Sequence, residues 1–173
     1  METLYAEGAA PLDSEAAVAE LFAARYAEMV RLAGLLGADD AEDVAQEAFA
    51  RLLSRHDSLR DAAAAVGYVR ATVCNLTRNR KRHLGIARLK APALAPADVP
   101  SLEQGAITRE DHDEVLAAVA ALPRRQREAV VLRYWAELSE AEIAAVMGVA
   151  AGTVKSLVSR GVSAVGKKLE ASS

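Results

Sequence analysis

Residues 138–160 carry the local signals of a short helix, a tight turn and a second helix. Ser139 can cap the first helix, and Glu142, three residues later, completes a capping box. Gly148 is expected to end that helix, because glycine enters the left-handed conformation at low cost. The apolar spacing predicts that both helices bury one face, with the inward positions Ile143, Val146, Met147, Val154, Leu157 and Val158.

The outward face of the second helix is polar and basic. Its positions are Thr153, Lys155, Ser156, Ser159 and Arg160. Two short helices at a steep angle, the second with such a face, suit insertion into the major groove of DNA. Helix-turn-helix units also serve as packing corners in all-helical proteins, so this unit alone leaves DNA binding and simple packing as equal alternatives.

A helix with arginines in its first turns precedes this unit. Pro123 marks its N-terminus, where the missing N–H costs nothing, and Arg124, Arg125 and Arg127 follow. Cations at a helix N-terminus oppose the helix dipole. We therefore interpret these arginines as contacts to a phosphate backbone, which favours DNA binding. Tyr134 of the same helix is expected to help build the core.

Composition limits the classes of protein open to this chain. Its 173 residues allow one ordinary domain or two small ones, and the alanine-rich sequence with 4% aromatic residues favours helices. The single Cys74 excludes an intrachain disulfide and a cysteine-based zinc site. No apolar run approaches a membrane span and the acidic N-terminus does not resemble a signal peptide. We expect a cytoplasmic protein without membrane insertion.

The pattern predicts an all-α fold of two small helical domains. The first domain is placed at residues 14–85 and the second, with the helix-turn-helix, at residues 110–170. Between them, at 86–109, the prolines Pro92, Pro96 and Pro100 exclude a continuous helix and favour a flexible linker.

The clearest helix of the first domain covers residues 39–53 and is acidic on one side. Asp39 or Asp40 is expected to cap it. Its inward stripe is predicted to consist of Val44, Ala45, Ala48, Phe49, Leu52 and Leu53. Asp43, Gln46 and Glu47 share the opposite face. Because an acidic outer face is ordinarily just solvated, it does not by itself indicate a partner.

The next helix, at residues 67–83, is basic. The net charge of −3 conceals this separation of acidic and basic residues between the two helices. Its predicted inward positions are Val66, Val69, Val73 and Leu76. The outer face carries Asn75, Arg78, Asn79 and Arg82. Arginines supply charge for phosphates and amides can read base edges, so this face indicates nucleic-acid binding.

Three segments, taken in order, carry a family resemblance. They are Asp-Ala-Glu-Asp-Val-Ala-Gln-Glu-Ala-Phe at 40–49, Gly-Tyr-Val-Arg-Ala-Thr-Val-Cys-Asn-Leu at 67–76, and Leu-Pro-Arg-Arg-Gln-Arg-Glu at 122–128 followed by Gly-Thr-Val-Lys-Ser at 152–156. With a proline-bearing linker between the second and third, the chain from about Val18 to Leu169 resembles a bacterial RNA polymerase sigma factor of the extracytoplasmic-function (ECF) class.

The resemblance implies two partners for defined residues. Core RNA polymerase would bind Asp40, Asp43, Gln46 and Glu47. The −10 promoter element, opened to a single strand with one base flipped out, would contact Leu59, Arg60, Asp61, Asn75, Arg78, Asn79 and Arg82. The −35 element, as duplex, would contact Arg124, Arg125, Arg127, Thr153, Lys155, Ser156, Ser159 and Arg160. The resemblance further implies an anti-sigma factor as partner.

Two further implications concern the linker and the cofactor. The linker would run through the polymerase towards the RNA exit path, where Asp98 and Glu103 would mimic nucleic-acid charge. No cofactor is expected.

The chain departs from the family pattern in both DNA-reading helices. Tyr68 stands where tryptophan is common and Arg70 where an aromatic is common, so strand capture would depend more on charge and amides. Ala150 replaces a capping serine, Leu157 replaces an arginine, and Gly161 and Gly166 would each weaken the last helix by roughly 1 kcal/mol. A weak or unusually selective −35 reader is therefore expected.

Three alternatives compete with an active sigma factor. A helix-turn-helix regulator would dimerise to read paired half-sites, and a sigma-like decoy would bind without starting transcription. An enzyme is disfavoured because His56, His83 and His112 are scattered and no catalytic, metal-binding or phosphate-loop spacing occurs.

Overall fold

The computed structural model describes residues 14–88 and 109–172. Within those ranges every regular element is helical and no strand occurs, which confirms the all-α prediction. The elements are α1 (Glu15–Leu35), α2 (Ala41–Leu53), a 3₁₀ turn (His56–Ser58), α3 (Ala62–Arg88), α4 (Arg109–Ala120), α5 (Arg124–Tyr134), α6 (Glu140–Met147) and α7 (Ala151–Ser172). Helix α3 thus continues three residues into the segment expected to be a linker. Helix α4 begins at the last residue of that segment, and residues 89–108, with the prolines, lie outside the described residues.

Helices α1 to α3 pack together as an N-terminal module. The Ser14 hydroxyl caps α1 by accepting the Ala17 N–H at 3.2 Å. The largest fully buried side chains of this module are Met29, Leu32, Val44, Leu52, Val69 and Val73. The expected inward stripe of α2 is confirmed except at Leu53. That side chain is 43% exposed, because it falls in the last residue of the helix, at the rim of the apolar face.

Helices α4 to α7 form a C-terminal module in which α7 packs along α5, α4 and α6. Its core is built on Leu132, Ile143, Met147 and Val154. The expectation that Tyr134 contributes to this core is wrong. Its side chain is 64% exposed, because it is the last residue of α5 and projects outward where the helix ends.

Gly161 lies where α7 makes its closest approach to α5. The glycine is buried, and a Cβ placed on it would stand 2.5 Å from Cγ2 of Val130 and 3.4 Å from the carbonyl oxygen of Gln126. The glycine therefore allows the two helices to come together, which corrects the expectation that it only weakens α7. Gly166 has nothing within 4 Å of its Cβ position.

The two modules also pack against each other. Helix α3 contacts α6, and Arg78 of α3 forms an ion pair with Glu128 of α5. The sequence predicted two domains on a linker and gave no indication of this contact.

In the part of the chain that the structure describes, no single helix is long and apolar enough to cross a membrane. Helices α6 and α7 meet that test only when taken together, and they are bent by 100° relative to each other.

Candidate polymerase and DNA interface

The acidic face of α2 is partly neutralised by α3. Arg80 of α3 pairs with the carboxylates of Asp40 and Glu47, the latter at 2.7 Å, and Arg51 also reaches Glu47 at 2.6 Å. Asp40 occupies the N-cap position as expected, but its side chain makes no capping hydrogen bond because it is directed to Arg80. The hydrogen bond from Arg80 is the main cause that lowers the pKa of Glu47, so this pairing weakens only as the pH falls into the acid range.

The part of this face that is open to a partner is Asp43 with Gln46. Both side chains are exposed, and the Gln46 amide donates to the Tyr26 hydroxyl at 3.3 Å. Beside Gln46, an apolar depression of about 380 Å³ runs between α1 and α2, lined chiefly by Val18, Phe22, Phe49 and Leu53. Sequence reasoning missed this depression, because it placed Leu53 in the inward stripe of its helix and predicted no face for the helix that carries Phe22.

The loop before α3 is held by its own side chains. Asp61 caps α3, since its Oδ1 accepts the Ala64 N–H at 2.8 Å. Leu59 is half-buried against the core, whereas Arg60 is exposed. Of the three residues expected to meet the −10 strand here, only Arg60 has its side chain fully open to a ligand.

The outer face of α3 is divided between open surface and the interdomain contact. Asn75, Asn79 and Arg82 are exposed as expected. Arg78 instead turns towards the C-terminal module and pairs with Glu128, while its other amino group donates to Asn75 Oδ1 at 3.1 Å. The structure therefore groups three of the four predicted residues on an accessible face.

Arg70 stands where the family commonly has an aromatic residue, and it forms an ion pair with a residue of α1. It pairs with Glu28 at 2.9 Å, and Arg25 reaches the same carboxylate at 2.8 Å. Burial raises the pKa of Glu28, but the hydrogen bonds from both arginines outweigh it and the pKa is lowered. The positive charge of Arg70 thus joins α1 to α3 and is not directed to a nucleic acid.

The start and end of α6 follow the sequence signals. The Ser139 hydroxyl accepts the Glu142 N–H at 3.3 Å, and the Glu142 carboxylate accepts the Ser139 N–H at 2.7 Å, which confirms the capping box. That backbone hydrogen bond lowers the pKa of Glu142. Gly148 ends the helix at a φ of 65°, as predicted. Helix α7 then leaves at 100° to α6, the geometry of a helix-turn-helix.

The outward face of α7 is confirmed as polar and solvent-exposed. Its exposed residues are Thr153, Lys155, Ser156, Ser159 and Arg160. Val154 is fully buried, and Leu157 and Val158 are half-buried against the core. At positions 153–160 this arrangement exposes donors, acceptors and positive charge, and none of these exposed side chains is acidic.

Helix α7 begins without a side-chain cap. Ala150 precedes its first residue, and the Ala150 carbonyl accepts the N–H groups of Thr153 and Val154 at 3.0 and 3.2 Å. Ala150 therefore holds the N-cap position and leaves the first helical N–H groups to solvent.

We expect Ala150→Ser to raise the free energy of unfolding by about 0.5–1 kcal/mol, because a serine hydroxyl there can accept from the N–H of Gly152 or Thr153. Thermal denaturation of the full chain measures this effect. Ala151→Ser is the matched control, since it adds the same hydroxyl one residue inside the helix. A lower melting temperature for Ala150→Ser than for the parent would contradict this assignment of the helix start.

The three arginines of α5 have different environments. Arg124 is exposed, and Arg125 is exposed with one amino group 3.4 Å from the carbonyl of Met147. Arg127 is half-buried, where burial lowers its pKa, and it donates to the carbonyls of Ala120 and Leu122. Arg127 thus stabilises the C-terminal end of α4. This structural role differs from the phosphate contact that the sequence led us to expect.

The described residues hold no group of three or more His, Cys, Asp or Glu side chains placed to bind a metal ion. Cys74 is buried between the modules, 2% exposed, and burial raises the pKa of its thiol to about 12. The site offers charge, hydrogen bonding and apolar contact for macromolecular partners.

Comparison with known proteins agrees with this geometry. A helix-turn-helix with an exposed basic face, behind a helical module with separate acidic and basic faces, defines a DNA-binding transcription protein. Residues 112–165 match the family model of Sigma-70, region 4. The RNA polymerase sigma-E factor of Streptomyces antibioticus is 34% identical over 132 residues, which cover 76% of this chain and 71% of that protein. The ECF RNA polymerase sigma factor SigW of Bacillus subtilis is 30% identical over 141 residues, 75% of each.

The chain belongs to the ECF RNA polymerase sigma factors. Two solved structures support the fold. The sigma factor RpoE of Bartonella quintana, in complex with the anti-sigma factor NepR, gives a TM-score of 0.73 at 22% identity and covers 88% of this chain and 96% of that one. CnrH, in complex with the cytosolic domain of CnrY, gives 0.64 at 20% identity and covers 92% of each.

Proposed function

We propose that this chain is an alternative sigma factor that binds core RNA polymerase, recognises −10 and −35 promoter elements and promotes DNA opening in the bacterial cytoplasm. The observation that carries the proposal is the outward face of α7. Its five polar residues at positions 153–160 are exposed and none of them is acidic, and the helix leaves α6 at 100°. Packing does not require such a face, whereas a DNA major groove does.

Residues 14–85 would act as the region that binds polymerase and the −10 element. Asp43 and Gln46 supply the open acidic and amide contact for polymerase, with Asp40 and Glu47 at its edge and already paired to Arg80. A positively charged partner surface fits this charge distribution.

Residues of α3 and the preceding loop would hold the opened −10 strand. Asn75 and Asn79 offer amides to base edges, while Arg60 and Arg82 offer charge to phosphates. Leu59 and Asp61 shape the loop. Extrusion of a base from the stack costs a few kcal/mol. These contacts must offset that cost, because aromatic stacking is scarce here.

Residues 110–170 would read the −35 duplex, after the linker proposed at 86–109. The face of α7 would enter the major groove, and Arg124 and Arg125 would contact the flanking backbone. One fold neighbour, RpoE of Bartonella quintana, was solved with the anti-sigma factor NepR. We extend that class of partner to this chain as part of the proposal.

Transcription from a randomised promoter library, with purified core RNA polymerase and this chain, tests the proposal. We expect specific run-off products, and we expect Asn75→Ala to relax preference at one −10 base while leaving the −35 preference intact. Arg82→Ala is the matched comparison, because loss of a phosphate contact should change salt dependence and leave base preference unaltered.

Two outcomes would contradict this function, and a third would contradict one residue of its site. Binding to polymerase without any product would favour a sigma-like decoy, and binding to duplex DNA as a dimer without polymerase would favour a regulator. Identical base preferences for Asn75→Ala and the parent would remove Asn75 from the −10 site.

A further inference from the structure

The contact between the two modules covers part of the surface that DNA would use. Arg78 lies on the same face of α3 as Asn75 and Arg82, yet it is paired with Glu128 of the C-terminal module. Glu128 is 5% exposed, and the arginine side chain is mostly covered as well. An arginine in this pair cannot contact a phosphate at the same time.

The fit around this ion pair is close. The remaining void, lined by Leu36, Cys74, Thr77, Arg78, Arg124 and Glu128, measures about 10 Å³, room for at most one water molecule. Residues of both modules contribute to one continuous apolar core. The ion pair is charge-assisted and largely shielded from solvent, so it is stronger than an exposed pair and contributes to the contact between the modules.

We propose that the Arg78–Glu128 ion pair holds the chain in a closed, self-inhibited state in which the carboxylate of Glu128 stands in for a DNA phosphate. Entry of a nucleic-acid backbone then requires the pair to break and the modules to separate. This inference rests on the proposed −10 binding by the face of α3 that Arg78 shares with Asn75 and Arg82, but the closure itself is testable without DNA.

Cys74 provides a reporter of the closed state. It is the only cysteine of the chain, it lines the void beside the ion pair, and its thiol is buried with a raised pKa. Separation of the modules exposes the sulfur and relieves the burial that raises its pKa, and both changes accelerate reaction with an aromatic disulfide reagent.

The first experiment measures the rate of Cys74 modification in the full chain under native conditions. We expect Glu128→Gln to increase the rate about tenfold or more, because a 1.4 kcal/mol change in the opening equilibrium is a factor of ten. Arg80→Gln is the matched control. It removes an arginine two positions away that is also paired with carboxylates, but only inside the N-terminal module.

The radius of gyration in solution is a second measure of separation. It should increase for Glu128→Gln and remain at the parent value for Arg80→Gln, with helix content unchanged in both. Equal Cys74 rates for the two variants, or a faster rate for Glu128→Gln without expansion, would overturn the closure.

The second experiment measures affinity for a short single-stranded DNA of random sequence. Glu128→Gln should bind about threefold more tightly or better, since an exposed arginine adds a phosphate contact. The gain should disappear in the double variant Glu128→Gln with Arg78→Gln. An equal gain in affinity for the single and the double variant would reflect only the loss of one negative charge. It would overturn the proposal that Glu128 and DNA compete for Arg78. Because the thiol measurement contains no DNA, its result separates failure of the closure from failure of the proposed promoter function.

Discussion

Gly161→Ala is expected to lower the free energy of unfolding of the chain by about 1–3 kcal/mol, the usual cost of overfilling a packed interior. Helix propensity alone predicts the opposite sign, a gain of about 1 kcal/mol. Packing decides the sign because the new Cβ would stand 2.5 Å from Cγ2 of Val130, a distance that carbon atoms do not tolerate. Val130 is a buried β-branched residue with few alternative rotamers, so α7 must move away from α5.

Chemical denaturation of the full chain measures this effect, and Gly166→Ala is the matched control on the same helix. Nothing lies within 4 Å of its Cβ position, so this substitution should stabilise by about 0.5–1 kcal/mol. Adding Val130→Ala to Gly161→Ala should recover part of the loss, because the two substitutions share one contact. A stabilised Gly161→Ala, or equal changes in stability for Gly161→Ala and Gly166→Ala, would contradict close packing as the role of this glycine.

The elements that the sequence predicts well are those whose determinants are local. Ser139, Glu142 and Gly148 act within a few residues of each other, and the structure confirms both ends of α6. The polar face of α7 follows from helical periodicity alone, because each position depends only on its neighbours along the same helix. The cap at Asp61 was equally local and was missed, although an aspartate before a run of alanines is an ordinary N-cap signal.

The features that escaped prediction depend on residues far apart in the chain. Arg78 and Glu128 are 50 positions apart, and Arg80 and Glu47 are 33 positions apart. Periodicity places each on a helix face but does not indicate which other helix covers it. The same limit applies to Gly161, because the space available for a side chain at this position depends on Val130 of another helix. Periodicity therefore predicts exposed faces, and the choice of partners across helices requires the packed structure.

Ion pairs within the chain determine which residue is best suited to test the polymerase contact. Four residues of α2 and its cap were expected to bind polymerase, but Asp40 and Glu47 hold Arg80. Reversing either charge would break an ion pair between α2 and α3 and mix a folding effect with a binding effect. Asp43 is exposed on the same face, so it offers a cleaner substitution.

We expect Asp43→Arg to weaken binding to core RNA polymerase by about tenfold or more, because reversal of a charge at a complementary interface commonly costs 2 kcal/mol or above. Its effect on stability should be limited to about 0.3–1 kcal/mol, the loss of a favourable acid in the first turn of α2. Glu20→Arg is the matched control, since it makes the same charge change at an exposed site on α1. Competition for core polymerase against the parent chain, at two salt concentrations, measures both variants. Equal losses for Asp43→Arg and Glu20→Arg would indicate a general effect of net charge and would remove Asp43 from the docking surface.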